Sequence, residues 1–245
     1  MNRLVRADLK RIVAKPTLYL VVIIMVIIVM ALDPSDTAAQ QMEFYRTFFN
    51  TIGLTFVLIP VYLSVYTDEL NSGIMISVIG MGMPRRRVVR SKLTDAFFLL
   101  LGTYLILFIA AFIKNCTSNL AITPKQNAFL LLFCMFCVIR GIGIIALSSL
   151  VLFLTMSSAS GMLVLVLAGV TAAGLLKTAQ DKFNFPIYDL SYIGLLDASF
   201  ADFQAGSFGA SLIPALFYLL VVVIINIVTF DRKEMDLCEV WSRLI

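Results

Sequence analysis

Residues 67–95, TDELNSGIMISVIGMGMPRRRVVRSKLTD, decide how this chain is interpreted. They lie between two long apolar segments, and an acidic pair near their start is followed by five basic residues, Arg85, Arg86, Arg87, Arg90 and Lys92. A stretch this charged between two apolar segments must lie in water. Its apolar middle, residues 74–83, reaches only about 15 Å as a helix, against a hydrocarbon core of about 30 Å. The pattern therefore predicts two membrane spans joined by a short helix that folds back against one membrane face.

The composition places the chain with polytopic membrane proteins, because 60% of its residues are hydrophobic and 14% are charged. The formal net charge of +4 does not indicate nucleic-acid binding. The basic residues cluster beside apolar segments, where they act as orientation signals.

The apolar segments predict an all-α membrane protein with one transmembrane domain over residues 1–245. Six transmembrane helices are predicted at residues 16–32, 48–66, 96–113, 128–156, 161–176 and 210–230. Residues 1–15 have the periodicity of an amphipathic helix lying on a membrane surface. Pro60 in the second span is expected to kink or widen that helix. A charged tail, residues 231–245, follows the last span.

The distribution of basic residues predicts the orientation. Residues 1–15, 67–95 and 231–245 together contain thirteen Lys and Arg residues, whereas the loops on the opposite side contain five. By the positive-inside rule, both termini and the loop 67–95 are cytoplasmic.

The residue types that the sequence contains argue against catalysis by this chain. It contains no histidine, which removes His-dependent catalytic sites and the usual zinc sites, and none of its thirteen glycines is followed by lysine, so a Walker A phosphate loop is absent. Cys134 and Cys137 lie in an apolar helix, where cysteine behaves as a small hydrophobic residue. We expect no catalytic residue, metal or cofactor in this chain, and an energy source in a partner or an ion gradient.

The order of features in the loop is an acidic residue, Gly73, a short apolar helix, Pro84, an arginine cluster and Lys92. This order resembles the ABC-2 family of ABC transporter permeases, as does a basic residue and proline, Lys15 and Pro16, before the first span. The resemblance implies that the loop holds a coupling helix, which docks in a cleft of a separate ATPase subunit. It also implies re-entrant outer helices in residues 177–209, before the sixth span.

The resemblance assigns ATPase coupling to residues of this loop: Glu69, Gly73, Met75, Ile76, Pro84, Arg85, Arg86, Arg87 and Arg90. The helix is expected to act as a knob whose methionines adapt to a cleft, with Glu69 and the arginines as a charged rim. The alternative is that the arginines only anchor the third span to lipid phosphates.

Four polar residues in the predicted spans are candidates for a substrate path: Asn50, Thr55, Arg140 and Asn226. Arg140 is the most costly to insert and should face the bundle interior, contacting an anionic group or pairing with an acidic residue of the outer segment. Alternatively, it reaches the outer interface as a snorkelling side chain. The amides and the threonine are also typical of interhelical hydrogen bonds.

The resemblance implies the permease subunit of an ATP-driven exporter in a bacterial plasma membrane. Two nucleotide-binding ATPase subunits would supply ATP and Mg, and a second copy or a sister permease would complete the path. The compact outer loops suit an amphipathic or peptide-like substrate, exported or removed in self-immunity. Alternatives are an ATP-independent secondary transporter or channel, which would need acidic residues inside the spans, and a non-transporting peptide-immunity or sensor subunit. An intramembrane enzyme would need Lys or Asp inside the membrane.

Overall fold

The computed structural model describes residues 8, 10–12, 15–32, 37–118, 122–207 and 209–232, together with all their side chains except those of Asn71 and Ile76. Most of the predicted interfacial helix, residues 1–15, and of the tail, residues 231–245, lies outside the described residues. The described part is helical and contains no β-strand. Its helices are α1 (Pro16–Ala31), α2 (Ala38–Leu70), α3 (Ile74–Gly80), α4 (Arg85–Thr117), α5 (Pro124–Thr155), α6 (Ser158–Phe183), α7 (Ile187–Leu190), α8 (Tyr192–Gln204) and α9 (Leu212–Arg232).

Five helices in the described part of the chain are long and apolar enough to cross a membrane: α2, α4, α5, α6 and α9. Helix α1 is apolar but has 16 residues, which gives it a length of about 24 Å and makes it shorter than a usual span. The prediction of an all-helical membrane protein is therefore confirmed at this level.

Two helices, α2 and α4, begin well before the spans predicted at 48–66 and 96–113. Helix α2 begins at Ala38, where Thr37 caps it by accepting a hydrogen bond from the backbone N–H of Gln40. Helix α4 begins at Arg85, so the expectation that residues 85–95 form part of a loop is wrong. Hydropathy locates the apolar part of a helix, whereas charged residues extend the same helix beyond the membrane into water. The arginine cluster therefore lies on the first turns of a long helix.

Helix α2 contains the predicted distortion around Pro60. The residues on either side of its central α-helical part adopt π-helical turns, at Phe49–Gly53 and Leu63–Thr67. Proline lacks the N–H that would bond to the carbonyl one turn earlier, and a wider turn nearby relaxes the helix. The helix continues through both turns to its last turn, which begins at Asp68.

Helices α4 and α5 pack against each other at the centre of the bundle, and α6 and α9 lie at its periphery. In the most apolar 18-residue stretch of α5, 67% is buried inside the bundle. In the corresponding stretches of α6 and α9 the buried share is 11%. Gly161 lets α6 approach α2, because a Cβ there would collide with the Tyr62 hydroxyl. We call the end of the bundle where α2 ends and α4 begins the charged end, and the end where α7 and α8 pack the opposite end.

Candidate coupling site at the charged end

A tight hairpin connects α2 to α4. Gly73 has φ +68°, a left-handed conformation that suits glycine, and it stops α2 and starts α3. Gly82, with φ +89°, turns the chain again after α3. Pro84, which lacks an N–H and has φ −65°, directly precedes the first residue of α4. The short helix predicted after Gly73 is confirmed, although it ends at Gly80 rather than Met83.

The base of this hairpin is held by a buried ion cluster centred on Lys92. The Lys92 ammonium nitrogen lies 2.6 Å from a carboxylate oxygen of Asp8 and 2.6 Å from one of Glu69. Arg11 donates to the same oxygen of Glu69. The side chains of Lys92 and Glu69 are only 5% and 2% exposed. Charges removed from water are tolerated only when they are paired, so this cluster requires the N-terminal segment, α2 and α4 to stay together.

The cluster contains a third carboxylate, that of Asp95, one turn further along α4. Asp95 is fully buried, and its Oδ2 lies 3.9 Å from the Lys92 nitrogen. Neither of its carboxylate oxygens has a hydrogen-bond partner among the described residues. The described cluster therefore contains three carboxylates, of Asp8, Glu69 and Asp95, around two cations. Next to it, Lys15 pairs with Asp68 at the surface.

Burial of Glu69 corrects one expectation from the sequence. As a buried residue whose charge is already paired, Glu69 does not belong to a rim that another protein touches. It instead fixes the end of α2 against α4.

The tip of the hairpin differs from the expected knob. Met75 is buried, at 1% exposure, so the expectation that it faces a partner is wrong: it packs into the core of its own chain. Met81 is 79% exposed and Ile74 is 41% exposed. The side chain of Ile76 lies outside the described ones.

The four arginines of the cluster divide into two pairs. Arg86 donates two hydrogen bonds to one carboxylate oxygen of Asp231, at 2.9 and 2.7 Å, and Arg85 donates to the carbonyl of Phe230. These contacts join the first turn of α4 to the end of α9. Arg87 and Arg90 are exposed and form no ion pair with a described residue. We call the exposed side chains of Ile74, Met81, Arg87 and Arg90 the hairpin tip.

Arg140 lies near the opposite end and faces the bundle interior, with 6% of the residue exposed. It donates to the side-chain oxygen of Asn50 at 2.7 Å and pairs with Asp197 of α8 at 3.4 Å. Tyr188 donates to the other oxygen of Asp197. Burial, and then this hydrogen bond, raise the pKa of Tyr188 above its usual range. Pairing with an acidic residue of the segment 177–209 is the arrangement expected for an inward-facing Arg140.

The other two path candidates do not join Arg140. The hydroxyl of Thr55 donates to the carbonyl of Thr51 in its own helix. Asn226 is fully buried; it donates to the carbonyl of Ala146 at 2.7 Å and accepts from Ser149 at 3.3 Å. It therefore joins α9 to α5, as expected for the alternative of an interhelical hydrogen bond.

The sequence alone does not identify several members of the buried ion cluster. It marks Lys92 only as a basic residue of the loop and does not single out its partners Asp8 and Asp95. The i, i+3 spacings of Asp8 with Arg11 and of Lys92 with Asp95 were the available signal. Comparison with known proteins found no matching family model, no similar curated protein and no similar solved structure.

Proposed function

We propose that this chain is the transmembrane permease subunit of an ATP-driven exporter of the ABC-2 type. Helix α1 and the five long helices act as six spans, with both termini in the cytoplasm of a bacterial cell. Two separate ATPase subunits bind at the charged end and hydrolyse ATP with Mg. A second copy or a sister permease completes the path.

The observation that carries this proposal is the combination of a rigid hairpin base with an exposed hairpin tip. A lever transmits force only if it does not bend at its base, and the buried cluster of Lys92 and Glu69 resists bending because separating the charges leaves them unpaired. The tip offers an adaptable apolar side chain, Met81, and two exposed arginines, Arg87 and Arg90. A subunit that grips the tip would therefore move α2 and α4 as one body.

A second connection would carry the motion further. Arg85 and Arg86 contact the end of α9, so a displacement of the first turn of α4 also pulls on the last span. Closing of the ATPase dimer would then rock several spans together and alternate access to the two membrane faces. The substrate is an amphipathic or peptide-like molecule that partitions into the membrane, exported or cleared in self-immunity.

The test is purification of the tagged chain from its native host in mild detergent, with associated proteins assayed for ATPase activity. We compare the wild type with a variant carrying Met81→Asp, Arg87→Glu and Arg90→Glu. The control is Lys182→Glu, a charge reversal at an exposed residue of α6 near the opposite end. We expect the tip variant to lose the ATPase while keeping its membrane insertion and its melting temperature, and the control to keep the ATPase. Equal ATPase recovery with the tip variant would contradict the proposal.

One observation favours a second candidate, an ATP-independent secondary transporter. That class requires acidic residues inside its spans, and the sequence places every Asp and Glu in a loop, in a tail or at a span edge. Asp95, at the junction between the charged start of α4 and its apolar part, is nevertheless fully buried, and its carboxylate oxygens accept no hydrogen bond from a described residue. Recovery of the wild-type chain without any ATPase, together with proton-driven uptake by the chain alone in liposomes that Asp95→Asn abolishes, would support this candidate.

A non-transporting immunity subunit would keep the fold and the ATPase partner. Transport of a labelled amphipathic peptide into inverted vesicles distinguishes it from the exporter. We expect ATP-dependent accumulation in wild-type vesicles and none in vesicles with the tip variant.

A further inference from the structure

An apolar cleft near the opposite end lies between α5, α6, the α7–α8 segment and α9. It has a volume of about 470 Å³, within the range of small-molecule sites. Its walls are almost entirely apolar and include Leu147, Leu176, Leu190, Tyr192, Tyr218 and Val222.

The cleft opens sideways from the bundle. Two of its lining residues in the candidate spans, Leu147 and Tyr218, are 41% and 46% exposed. Val222, also in its wall, is the middle residue of α9. The cleft therefore extends from the α7–α8 segment to about the middle of a span and faces the region that is hydrocarbon in a membrane.

A cleft of this kind is not left empty in a bilayer. Water would find few polar partners there, and a void would lose the dispersion contacts of its walls. Of water, an empty void and lipid, hydrocarbon is therefore the occupant that suits these walls. Because an acyl chain is already in an apolar solvent, its preference for the cleft must come from close packing and from contacts of its headgroup.

The cleft margin carries a cation placed for such a headgroup. The ammonium nitrogen of Lys177, the residue after Leu176, lies 4.8 Å from the centre of the Tyr188 ring. Lys177 forms no ion pair with a described residue. The nearby carboxylate of Asp189 instead accepts a hydrogen bond from Gln180. Lys177 lies within the last two turns of α6, at a depth from which a lysine reaches the headgroup region.

We propose that this cleft is a binding site for an anionic phospholipid, with one acyl chain between α5 and α9 and the phosphate at Lys177. The site depends on the chain spanning a membrane and not on ATPase coupling. Failure of the exporter proposal would therefore leave it intact.

The test is photocrosslinking of the full chain in nanodiscs of phosphatidylcholine and phosphatidylglycerol, with a diazirine-bearing acyl chain on one lipid at a time. Labelled peptides are mapped by mass spectrometry. The exposed face of α1, including Ile23 and Ile27, reports labelling by bulk lipid. We expect the phosphatidylglycerol probe to label residues 185–192 and 218–222 more strongly than α1.

Two variants fill the cleft, Val222→Trp and Leu147→Phe, so that one remains informative if the other misfolds. The control is Leu220→Trp, on the same helix as Val222 but 54% exposed and outside the cleft. We expect the filling variants to reduce cleft labelling to the level of α1 and the control to leave it unchanged. Wild-type labelling no stronger than that of α1, or labelling that persists in both filled variants, would overturn the proposal.

The headgroup contact has its own variant, Lys177→Gln. We expect it to reduce the preference of the cleft for phosphatidylglycerol over phosphatidylcholine by roughly fivefold, the effect typical of one basic residue near an anionic lipid surface. Equal labelling by both lipids in the wild type would overturn the assignment of an anionic lipid.

Discussion

The chain buries a cation near each end of its bundle, and the two sites differ in how completely they exclude water. At the charged end, Lys92 and Glu69 are 5% and 2% exposed, and Lys92 contacts carboxylates from three separate segments. Near the opposite end, Arg140 is 7% exposed, but its partner Asp197 is 42% exposed and 3.4 Å away. The first arrangement cannot open without leaving charges unpaired, whereas water replaces the partner in the second. We infer that the ion cluster around Lys92 holds the charged end in one arrangement, and we call this cluster the fixed joint. Arg140 can exchange its partner Asp197 for water, and we call this the adjustable site.

The largest expected effect comes from removing the cation of the fixed joint. Lys92→Met keeps the apolar stem but leaves three carboxylates facing Arg11 alone. Breaking a buried ion pair in this way typically costs about 3–5 kcal/mol. We expect a large loss in the melting temperature of the detergent-solubilised protein at a fixed scan rate.

The matched control for Lys92→Met is Arg90→Met, which removes a cation from an exposed position two residues earlier on the same helix. We expect a change within about 0.5 kcal/mol. Similar shifts in the two variants would show that the buried cluster is not a joint.

The next effect tests whether the joint acts as a unit. Glu69→Gln keeps the shape of the side chain but removes the charge that Arg11 and Lys92 share. In the presence of Lys92→Met, the same change should cost less, because the repulsion among the remaining carboxylates falls. We expect the double variant to be more stable than the sum of the single effects by about 1–3 kcal/mol, measured as a double-mutant cycle. If the effects of Glu69→Gln and Lys92→Met were strictly additive, the two residues would not interact energetically.

The sequence predicted the Arg140 site better than the fixed joint, for a physical reason. A single arginine in an apolar segment needs a partner, and Asp197 lies in the segment expected to supply one. The joint is formed by Lys92 and Glu69, which lie in a charged stretch where partners are numerous. Burial of one particular pair among many charges depends on how helices pack, and hydropathy does not encode that.

The sequence likewise predicted some features of the fold and not others. The apolar parts of the long helices were predictable from composition, because an apolar run of that length has few other structures available. The start of α4 at Arg85 and the burial of Met75 were not, because charged residues continue a helix without a change in its period and the short α3 turns one face inward.

A smaller effect is expected at the adjustable site. Arg140→Met leaves Asn50 and Asp197 without their cation, but water reaches the half-exposed Asp197. We expect a change in stability of no more than about 1 kcal/mol, in either direction. Lost transport with a retained fold would place Arg140 on the substrate path, whereas retained transport would assign it to packing. A loss of stability as large as that of Lys92→Met would remove the distinction between the two ends.

The smallest effect is expected from the contact between α4 and α9. Arg86 and Asp231 form short hydrogen bonds, but their side chains are 65% and 32% exposed, so water and salt screen the pair. We expect Arg86→Gln to leave the melting temperature unchanged at low and at high salt, as the control Arg87→Gln should. A salt-dependent loss for Arg86→Gln alone would make this contact part of the fixed joint. If stability is unchanged while ATP-driven transport falls, the pair matters only when force passes from α4 to α9, because a contact that adds nothing to equilibrium stability can still transmit a displacement.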